Sequence, residues 1–191
     1  TRVKFNKKFF IFMTTNLKEK ITIKVEILKT ISDIDLADLC NITEQAIKAG
    51  GGFGWLKTPP REVLNKYWKG LVVVQNRILI VGRLNSAIAG TLQLNLQPSN
   101  NEAQKKIINI NSHFVAPWAR GYGLAKNMID YAEITSKQNE ANCIQLDIRE
   151  TQEAAIQLFK SKGYIRWGEN PNYANVEGET IKGLYFYKNI Q

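Results

Sequence analysis

The chain has 191 residues, of which 44% are hydrophobic and 23% are charged. This composition is that of a globular protein that buries a core of its own, so it excludes wholesale disorder and dependence on disulfides. The formal net charge of +9 favours an anionic partner, either an anionic cofactor or a nucleic acid. A nucleic acid is the less favoured of the two, because no basic stretch interleaved with aromatic residues occurs.

Two cysteines and one histidine occur in the sequence. Cys143 lies inside an apolar segment, which favours a reducing compartment over a disulfide framework. So few soft ligands cannot close a zinc site, and a metal centre is not expected. We therefore expect a cytoplasmic protein without a metal cofactor.

The first nineteen residues are expected to lie outside the fold. Lys4, Lys7 and Lys8 precede a short apolar run over 9–13. That run is shorter than the apolar region of a signal peptide and far shorter than a membrane span. Met13 is the first methionine, and we expect residues 1–12 to precede the natural start. The predicted organisation is an extension over 1–19 and a single domain over 20–191.

Hydrophobic periodicity predicts the elements of that domain in chain order. Strands are expected over 20–29, 77–84, 87–97, 106–115, 142–148, 164–167 and 183–188. Helices are expected from Ser32 onward and over 61–69, 121–137 and 151–161. The strand 142–148 is nearly continuous in apolar residues, as expected for a strand covered on both faces. The passage over 107–148 implies one right-handed parallel crossover. The predicted fold class is mixed α/β, with a mostly antiparallel sheet flanked by helices.

The segment around two glycines is the most informative about chemistry. A strand stops at Pro117, the chain turns through Gly121 and Gly123, and a helix starts. The first N–H groups of a helix have no intrahelical partner and carry partial positive charge, so such an end binds anions. Gly123 leaves no Cβ between the backbone and a bound phosphate, and Gly121 supplies turn geometry that other residues strain to adopt.

Other interpretations of the two glycines are open. A Rossmann fingerprint is one alternative, and Asp147 lies near the distance expected for its ribose-binding acid. Against it, the third glycine of that fingerprint would fall at Lys126, and the two glycines follow an antiparallel hairpin and do not lie at the first βα turn. No Gly-Lys-Ser/Thr phosphate loop occurs. A glycine turn that only starts a helix is the structural alternative.

Several motifs resemble one family. Arg120-x-x-Gly123-x-Ala125 is similar to the Arg/Gln-x-x-Gly-x-Gly/Ala pyrophosphate motif of GNAT acyltransferases, and the segments 146–149 and 154–164 resemble the family's second motif. Further stretches resemble bacterial GNAT enzymes related to the tabtoxin-resistance type: 52–55, 67–68, 90–94 and 171–174. The resemblance covers about residues 20–190. It implies the GNAT fold and direct transfer of an acyl group, with acetyl-CoA as the donor, to a primary amine of a small molecule.

The resemblance also implies the coenzyme A site. The pyrophosphate would be held by Arg120, Gly121, Tyr122, Gly123, Leu124 and Ala125, mainly through backbone amides. Phe114 and Val115 would pair with the pantetheine arm as an added strand, where a backbone N–H would polarise the thioester carbonyl. The helix over 151–161 would flank the thiol end, with Gln152 and Phe159 among the contacts.

Three positions depart from the family pattern. Phe159 stands where the family often has a tyrosine that protonates the departing thiolate, and phenylalanine cannot do this. Gln152 stands where an asparagine is frequent, and it retains a hydrogen-bonding amide. Asn109 stands at about the place of a glutamate base, and an amide is not a base. The acid and the base are therefore left open.

Three residues are candidates for the missing catalytic groups. Asp147, at the end of a buried strand, would serve as a base if burial raises its pKa, or it orients the neighbouring loop. His113 is expected beside the thioester, with a satisfied structural histidine as the alternative. Tyr173 would reach the site as a donor or a substrate contact.

The acceptor is expected to contact three aromatic segments. These are the loop over 50–55, the helix through Trp68 and the loop over 171–174, and they suggest a small, partly apolar amine. Two other functions fit the same residues. One is a non-catalytic acyl-CoA-binding module, favoured by Phe159, and the other is acetylation of a protein or a tRNA-linked amine, favoured by the net charge. A homodimer is compatible with the sequence.

Overall fold

The computed structural model describes residues 21–51 and 54–190. Its strands are β1 (Ile23–Ile27), β2 (Arg77–Leu84), β3 (Ala87–Leu96), β4 (Ile107–Val115), β5 (Cys143–Arg149), β6 (Ile165–Val176) and β7 (Glu179–Asn189). Its helices are α1 (Asp33–Lys48), α2 (Arg61–Leu71), α3 (Leu124–Gln138) and α4 (Glu153–Ser161), with short 3₁₀ turns at Glu102–Gln104 and Pro117–Ala119. The extension predicted over 1–19 lies outside the described residues, as do Gly52 and Phe53 of the predicted acceptor loop.

Within the described residues the strands form one seven-stranded sheet in the order β1-β2-β3-β4-β5-β7-β6. Every neighbouring pair is antiparallel except β4 and β5, which are parallel. The predicted fold class, including its single parallel crossover, is confirmed.

The central strands are covered on both faces. Leu79–Gly82 of β2 and Ile88–Leu94 of β3 are runs of consecutive buried residues, which an exposed face would interrupt. Helix α1 packs against β3, and α3 packs across β1 to β4. The core therefore lies on both sides of β2 and β3.

Two glycines let α3 approach the sheet closely. Gly82 and Gly90 are register partners on β2 and β3. A Cβ on Gly82 would stand 2.7 Å from Leu124 Cδ1, and one on Gly90 would stand 2.8 Å from Met128 Cε. Contacts this short would force side chains of α3 to shift, and a Cβ on Gly90 would also stand 2.9 Å from the Phe114 carbonyl oxygen, so glycine at both positions permits the close approach. The pair fixes the start of α3 against the sheet, beside the end of β4.

Helix starts follow local chemistry. The Ser32 hydroxyl accepts a hydrogen bond from Asp35 N at 3.1 Å, which confirms the predicted start of α1. The predicted start of α3 at Gly121 is wrong, since the helix begins at Leu124. Gly121 and Gly123 have φ of 86° and 76°, and a helix requires a negative φ.

Two strand predictions are also corrected. Strand β5 is not covered on both faces: Ile144, Leu146 and Ile148 are buried, whereas Asp147 between them is exposed. The predicted loop over 171–174 lies inside β6, which continues to Val176 with a register shift between Asn170 and Ala174. Strand β6 is at the edge of the sheet, where a proline that cannot donate to a ladder is tolerated.

No helix in the part of the chain that the structure describes is long and apolar enough to cross a membrane.

Candidate active site

The site lies where β4 parts from β5. The parallel ladder pairs only Ile107–Asn109 with Cys143–Gln145. Beyond Asn109, the edge of β4 that faces β5 has no strand partner within the described residues. An extended ligand can therefore add to this edge by main-chain hydrogen bonds.

A bulge in β4 accompanies this separation. Thr91 pairs with Phe114 and Gln93 with Asn111, so β4 carries one residue more than β3. Ser112 has φ of 48°, and its carbonyl accepts a hydrogen bond from the buried Thr91 hydroxyl at 3.0 Å. A bulge bends its strand and re-aims the side chains that follow. Here it turns the end of β4 toward the start of α3.

The start of α3 presents unpaired amides. The first backbone hydrogen bond of this turn runs from Asn127 N to Gly123 O at 3.0 Å, and Gly123 supplies no side-chain cap. The N–H groups of Leu124, Ala125 and Lys126 therefore have no backbone acceptor in the described part of the chain. No atom lies within 4 Å of the Cβ positions of Gly121 and Gly123. The turn before these amides is therefore uncrowded, which leaves room for an anion beside them.

A larger cavity of about 700 Å³ runs beside these amides. Its wall includes the end of β4, the turn before α3, the start of α4 and the residues after α1. Five of the residues predicted to bind the cofactor line it: Phe114, Val115, Arg120, Ala125 and Gln152. Gly121, Tyr122 and Gly123 are exposed in the turn before α3. The Leu124 side chain is buried against Gly82, so Leu124 offers the site only its backbone.

A smaller cavity of about 390 Å³ lies next to the larger one, and His113, Gln152 and Ala155 line both. The smaller cavity is bounded by the end of β5 and by β6, through Asp147 and Tyr173. Two adjoining cavities with a shared wall suit a reaction between two substrates, one in each.

Asp147 and Tyr173 form a pair in the smaller cavity. The Tyr173 hydroxyl donates a hydrogen bond to Asp147 Oδ2. Burial, together with that bond, raises the pKa of Tyr173, so the phenol stays protonated and acts as a donor. The prediction that Asp147 is buried is wrong: its side chain is exposed at the cavity because β5 is open on this face.

His113 lies at the junction of the two cavities. Its ring is edge-on to Phe159 with centroids 5.5 Å apart, and its buried Nε2 has no hydrogen-bond partner among the described residues. Burial lowers the pKa of His113 to about 4, against a smaller opposing effect from a backbone hydrogen bond with Ala125. The imidazole is therefore neutral at physiological pH.

The sequence predicts that Phe159 contacts the thiol end of the cofactor. Phe159 is 2% exposed and packs edge-on against Tyr164, with centroids 5.1 Å apart. It lines the smaller cavity rather than the larger one. The residue is an apolar wall at the junction and carries no proton to donate.

Gln152 joins two segments of the site. It precedes α4, and its Nε2 donates a hydrogen bond to Gly50 O at 3.0 Å. This bond ties the start of α4 to the turn after α1 between the two cavities.

Of the segments predicted to contact the acceptor, some residues line the smaller cavity and others do not. Gly54, Tyr173 and Ala174 line the smaller cavity. Trp68 does not: it is fully buried in the core. Its neighbour Tyr67 accepts a hydrogen bond from Gln93 Nε2 at 2.8 Å and packs edge-on against Trp55. The aromatic residues of α2 therefore support the fold behind the site.

Sequence reasoning missed the bulge at Ser112 and two residues of the smaller cavity region. Arg149 lines the cavity from the end of β5. Gly183, on β7, underlies Tyr173. A glycine in the interior of a strand signals close approach by another group, but the strand predicted over 183–188 placed Gly183 at its first position, where that signal is absent. In the described residues, no group of three or more His, Cys, Asp or Glu side chains is placed to hold a metal ion.

The cleft thus lies between two diverging parallel strands, with the start of α3 at its mouth. The Acetyltransferase (GNAT) family model matches residues 40–164. An uncharacterized N-acetyltransferase from the hisH–hisA intergenic region of Azospirillum brasilense is 46% identical over 130 residues, covering 68% of this chain and 77% of that relative. The chain belongs to the GNAT family of N-acetyltransferases.

Solved structures agree on the fold. An N-acetyltransferase from Staphylococcus aureus Mu50 superposes with a TM-score of 0.75 at 15% identity, covering 89% of this chain and 99% of that one. The acetyltransferase yncA from Salmonella typhimurium, solved with its cofactor acetyl-CoA, gives a TM-score of 0.72 at 13% identity, covering 88% of this chain and 94% of that one.

Proposed function

We propose that this chain binds acetyl-CoA in the larger cavity and transfers the acetyl group directly to a primary amine of a small molecule in the smaller one. The observation that carries the proposal is the junction of the two cavities at His113, Gln152 and Ala155. Any group that crosses from one cavity to the other passes these residues.

The larger cavity fits the donor by its backbone chemistry. The uncapped amides at the start of α3 suit a pyrophosphate, and the glycines before them leave room for it. The end of β4 at Phe114 and Val115, beyond its ladder with β5, suits an arm that carries amide groups. When bound, acetyl-CoA supplies a thioester whose carbonyl carbon is open to attack by an amine. An N–H on this edge would polarise the carbonyl oxygen.

Asp147 is the proposed base. An alkylamine is protonated at neutral pH, because its pKa resembles the 10.4 or so of lysine, and it must lose a proton before it attacks. Asp147 is a carboxylate exposed to the smaller cavity, where it would accept that proton. A C–N bond then forms, the C–S bond breaks, and the thiolate leaves.

His113 would contact the reacting groups at the junction. Because its pKa lies at about 4, it is neutral, and its unpartnered Nε2 is available for one hydrogen bond. We assign it to orienting the attacking amine or the leaving sulfur. Phe159 cannot act as the acid, so the thiolate would take its proton from solvent or from substrate.

The lack of a dedicated acid does not preclude catalysis. General acid help is typically worth about 10²–10⁴ in rate, and holding amine and thioester together contributes as much or more. A thiolate also leaves more readily than an alkoxide or an amine.

The proposal is tested by thiol release from acetyl-CoA over a panel of primary amines, with mass spectrometry of the products. We expect amine-dependent release and an N-acetylated product. Binding of acetyl-CoA without turnover on any amine would instead support a non-catalytic binding module. Turnover only on protein N-termini or aminoacyl-tRNA would replace the small-molecule acceptor with a macromolecular one.

A further inference from the structure

The pairing of β6 with β7 is irregular near the residue that contacts Asp147. Asn170 pairs with Gly183, and Ala174 pairs with Ile181. Four steps along β6 therefore match two steps along β7, so β6 carries two extra residues here. Extra residues lift their strand out of the ladder and redirect its side chains. The lifted segment contains Tyr173.

Tyr173 folds back across β7 onto Gly183. A Cβ on Gly183 would stand 2.8 Å from Tyr173 Cβ and closer still to the ring atoms Cγ and Cδ2. Real Cβ atoms essentially never make such contacts. Only glycine at position 183 therefore leaves space for the ring in this place. The neighbouring Tyr185 ring is edge-on to it, with centroids 6.4 Å apart.

The position of the Tyr173 ring over Gly183 directs its hydroxyl toward Asp147. Gly183 pairs with Arg149 on β5, so a ring lying over Gly183 can reach the end of β5. Its hydroxyl donates to Asp147 Oδ2. The other carboxylate oxygen, Oδ1, accepts no hydrogen bond from the described residues. One oxygen of Asp147 is thus fixed by the protein, and one is left for a ligand.

We propose that Tyr173, seated on Gly183, is a positioning residue that holds the Asp147 carboxylate toward the smaller cavity, where Oδ1 binds the ammonium group of a cationic acceptor. This inference rests on the proposed function and narrows it to alkylamines that arrive protonated. A charged donor on a fixed carboxylate makes a short, strong hydrogen bond. Fixing the carboxylate beforehand removes the cost of orienting it in the reaction.

The experiment uses full-length protein, acetyl-CoA, and two classes of probe. Primary alkylamines are cationic at neutral pH, whereas anilines are neutral, and thiol release reports both. Tyr173→Phe keeps the ring and removes the hydroxyl. Gly183→Ala displaces the ring. Gly168→Ala is the matched control on β6, because a Cβ there meets no atom within 4 Å.

Tyr173→Phe and Gly183→Ala should each lower kcat/KM for alkylamines by about tenfold, since each loses the hydrogen bond to a charged group. The double variant should also lose about tenfold rather than a hundredfold, because both changes break one interaction. In both variants kcat/KM for anilines should change less than twofold. The rise in Tm on adding acetyl-CoA should change by less than about 1 °C. Gly168→Ala should behave as wild type.

The inference would be overturned, with the proposed function left standing, by wild-type kcat/KM in Tyr173→Phe or by multiplicative losses in the double variant. Equal losses for alkylamines and anilines would also overturn it, since they would indicate general disruption of the site. Should Gly183→Ala fail to fold, the comparison of Tyr173→Phe on the two probe classes decides. If the wild-type protein acetylates no amine of either class, the proposed function fails and the inference falls with it.

Discussion

Replacement of Gly123 by glutamate tests the donor site most directly. Gly123 has φ of 76° and no atom within 4 Å of its Cβ position, so the new side chain meets no steric obstacle in the unliganded protein. The left-handed backbone would cost roughly 1–2 kcal/mol. The carboxylate would stand beside the amides that are proposed to bind the pyrophosphate. At about 4 Å, each pair of like charges costs roughly 1–4 kcal/mol at effective dielectric constants between 80 and 20.

The assay is thermal melting with acetyl-CoA at a hundred times the wild-type Kd. Binding then stabilises the wild-type protein by about 2.7 kcal/mol, which raises Tm by about 5–11 °C for a chain of this length. A penalty of about 2.7 kcal/mol in the variant raises Kd a hundredfold. The remaining stabilisation is then about 0.4 kcal/mol, and the shift falls to roughly 1–2 °C.

Gly178→Glu is the matched control. Gly178 has φ of 91° and nothing within 4 Å of its Cβ position, but it lies in the turn between β6 and β7, outside both cavities. It carries the same backbone strain and the same new charge. Both variants should melt lower than wild type without ligand, and only Gly123→Glu should lose the shift. A full shift in Gly123→Glu would refute the placement of the pyrophosphate at these amides.

Three further changes test other parts of the site. Asp147→Asn should lower kcat/KM by about 10²–10⁴ while keeping the acetyl-CoA shift, and activity within threefold of wild type would exclude Asp147 as the base. His113→Gln should flatten the pH dependence of stability. Because burial lowers the pKa of His113 from 6.5 to about 4, the unfolded chain binds a proton in this window that the folded chain does not. Wild-type stability should therefore fall by about 2–3 kcal/mol from this group as pH drops from 7.5 to 4.5, and urea titrations of both proteins measure the difference. Thr91→Val leaves the part-buried carbonyl of Ser112 without this donor and should cost about 0.5–1.5 kcal/mol, measured as a lower urea midpoint; an unchanged midpoint would mean that the bulge does not depend on this bond.

Where local chemistry decides an element, the sequence predicted it closely. The strand over 77–84 was predicted with its observed bounds, since the apolar run over 78–81 is followed by a two-residue turn whose Asn85 has φ of 55°. Ser32 marked the start of α1 because a serine cap satisfies an N–H that the helix leaves free. The glycines at 121 and 123 located the unpaired amides, although they also delayed the start of α3.

Where pairing between distant strands determines the structure, the prediction from sequence was wrong or absent. The exposed face of β5 could be read from the sequence, because Gln145 and Asp147 alternate with apolar residues. The high apolar content of the segment instead led to the prediction that both faces are covered. The length of β6 depends on its pairing with β7 across a bulge, which no local pattern around Pro171 reveals. The extra residue at Ser112 exists only relative to β3, so no single-strand pattern contains it.

The larger cavity is formed mainly by backbone groups and the smaller one mainly by side chains. This difference predicts how each cavity tolerates amino-acid substitutions. The larger cavity, where we propose that the donor binds, is bounded by backbone groups at the start of α3 and along β4, which most side-chain substitutions leave in place provided that Gly121 and Gly123 keep their positive φ. The smaller cavity, where we propose that the acceptor binds, is bounded by side chains such as Asp147 and Tyr173 on β5 and β6. Substitutions there should change the accepted amine or the rate of transfer and leave acetyl-CoA binding in place. Substitutions can therefore change the accepted amine while acetyl-CoA remains the donor. The two substrates are proposed to contact different atoms, except at the residues that line both cavities.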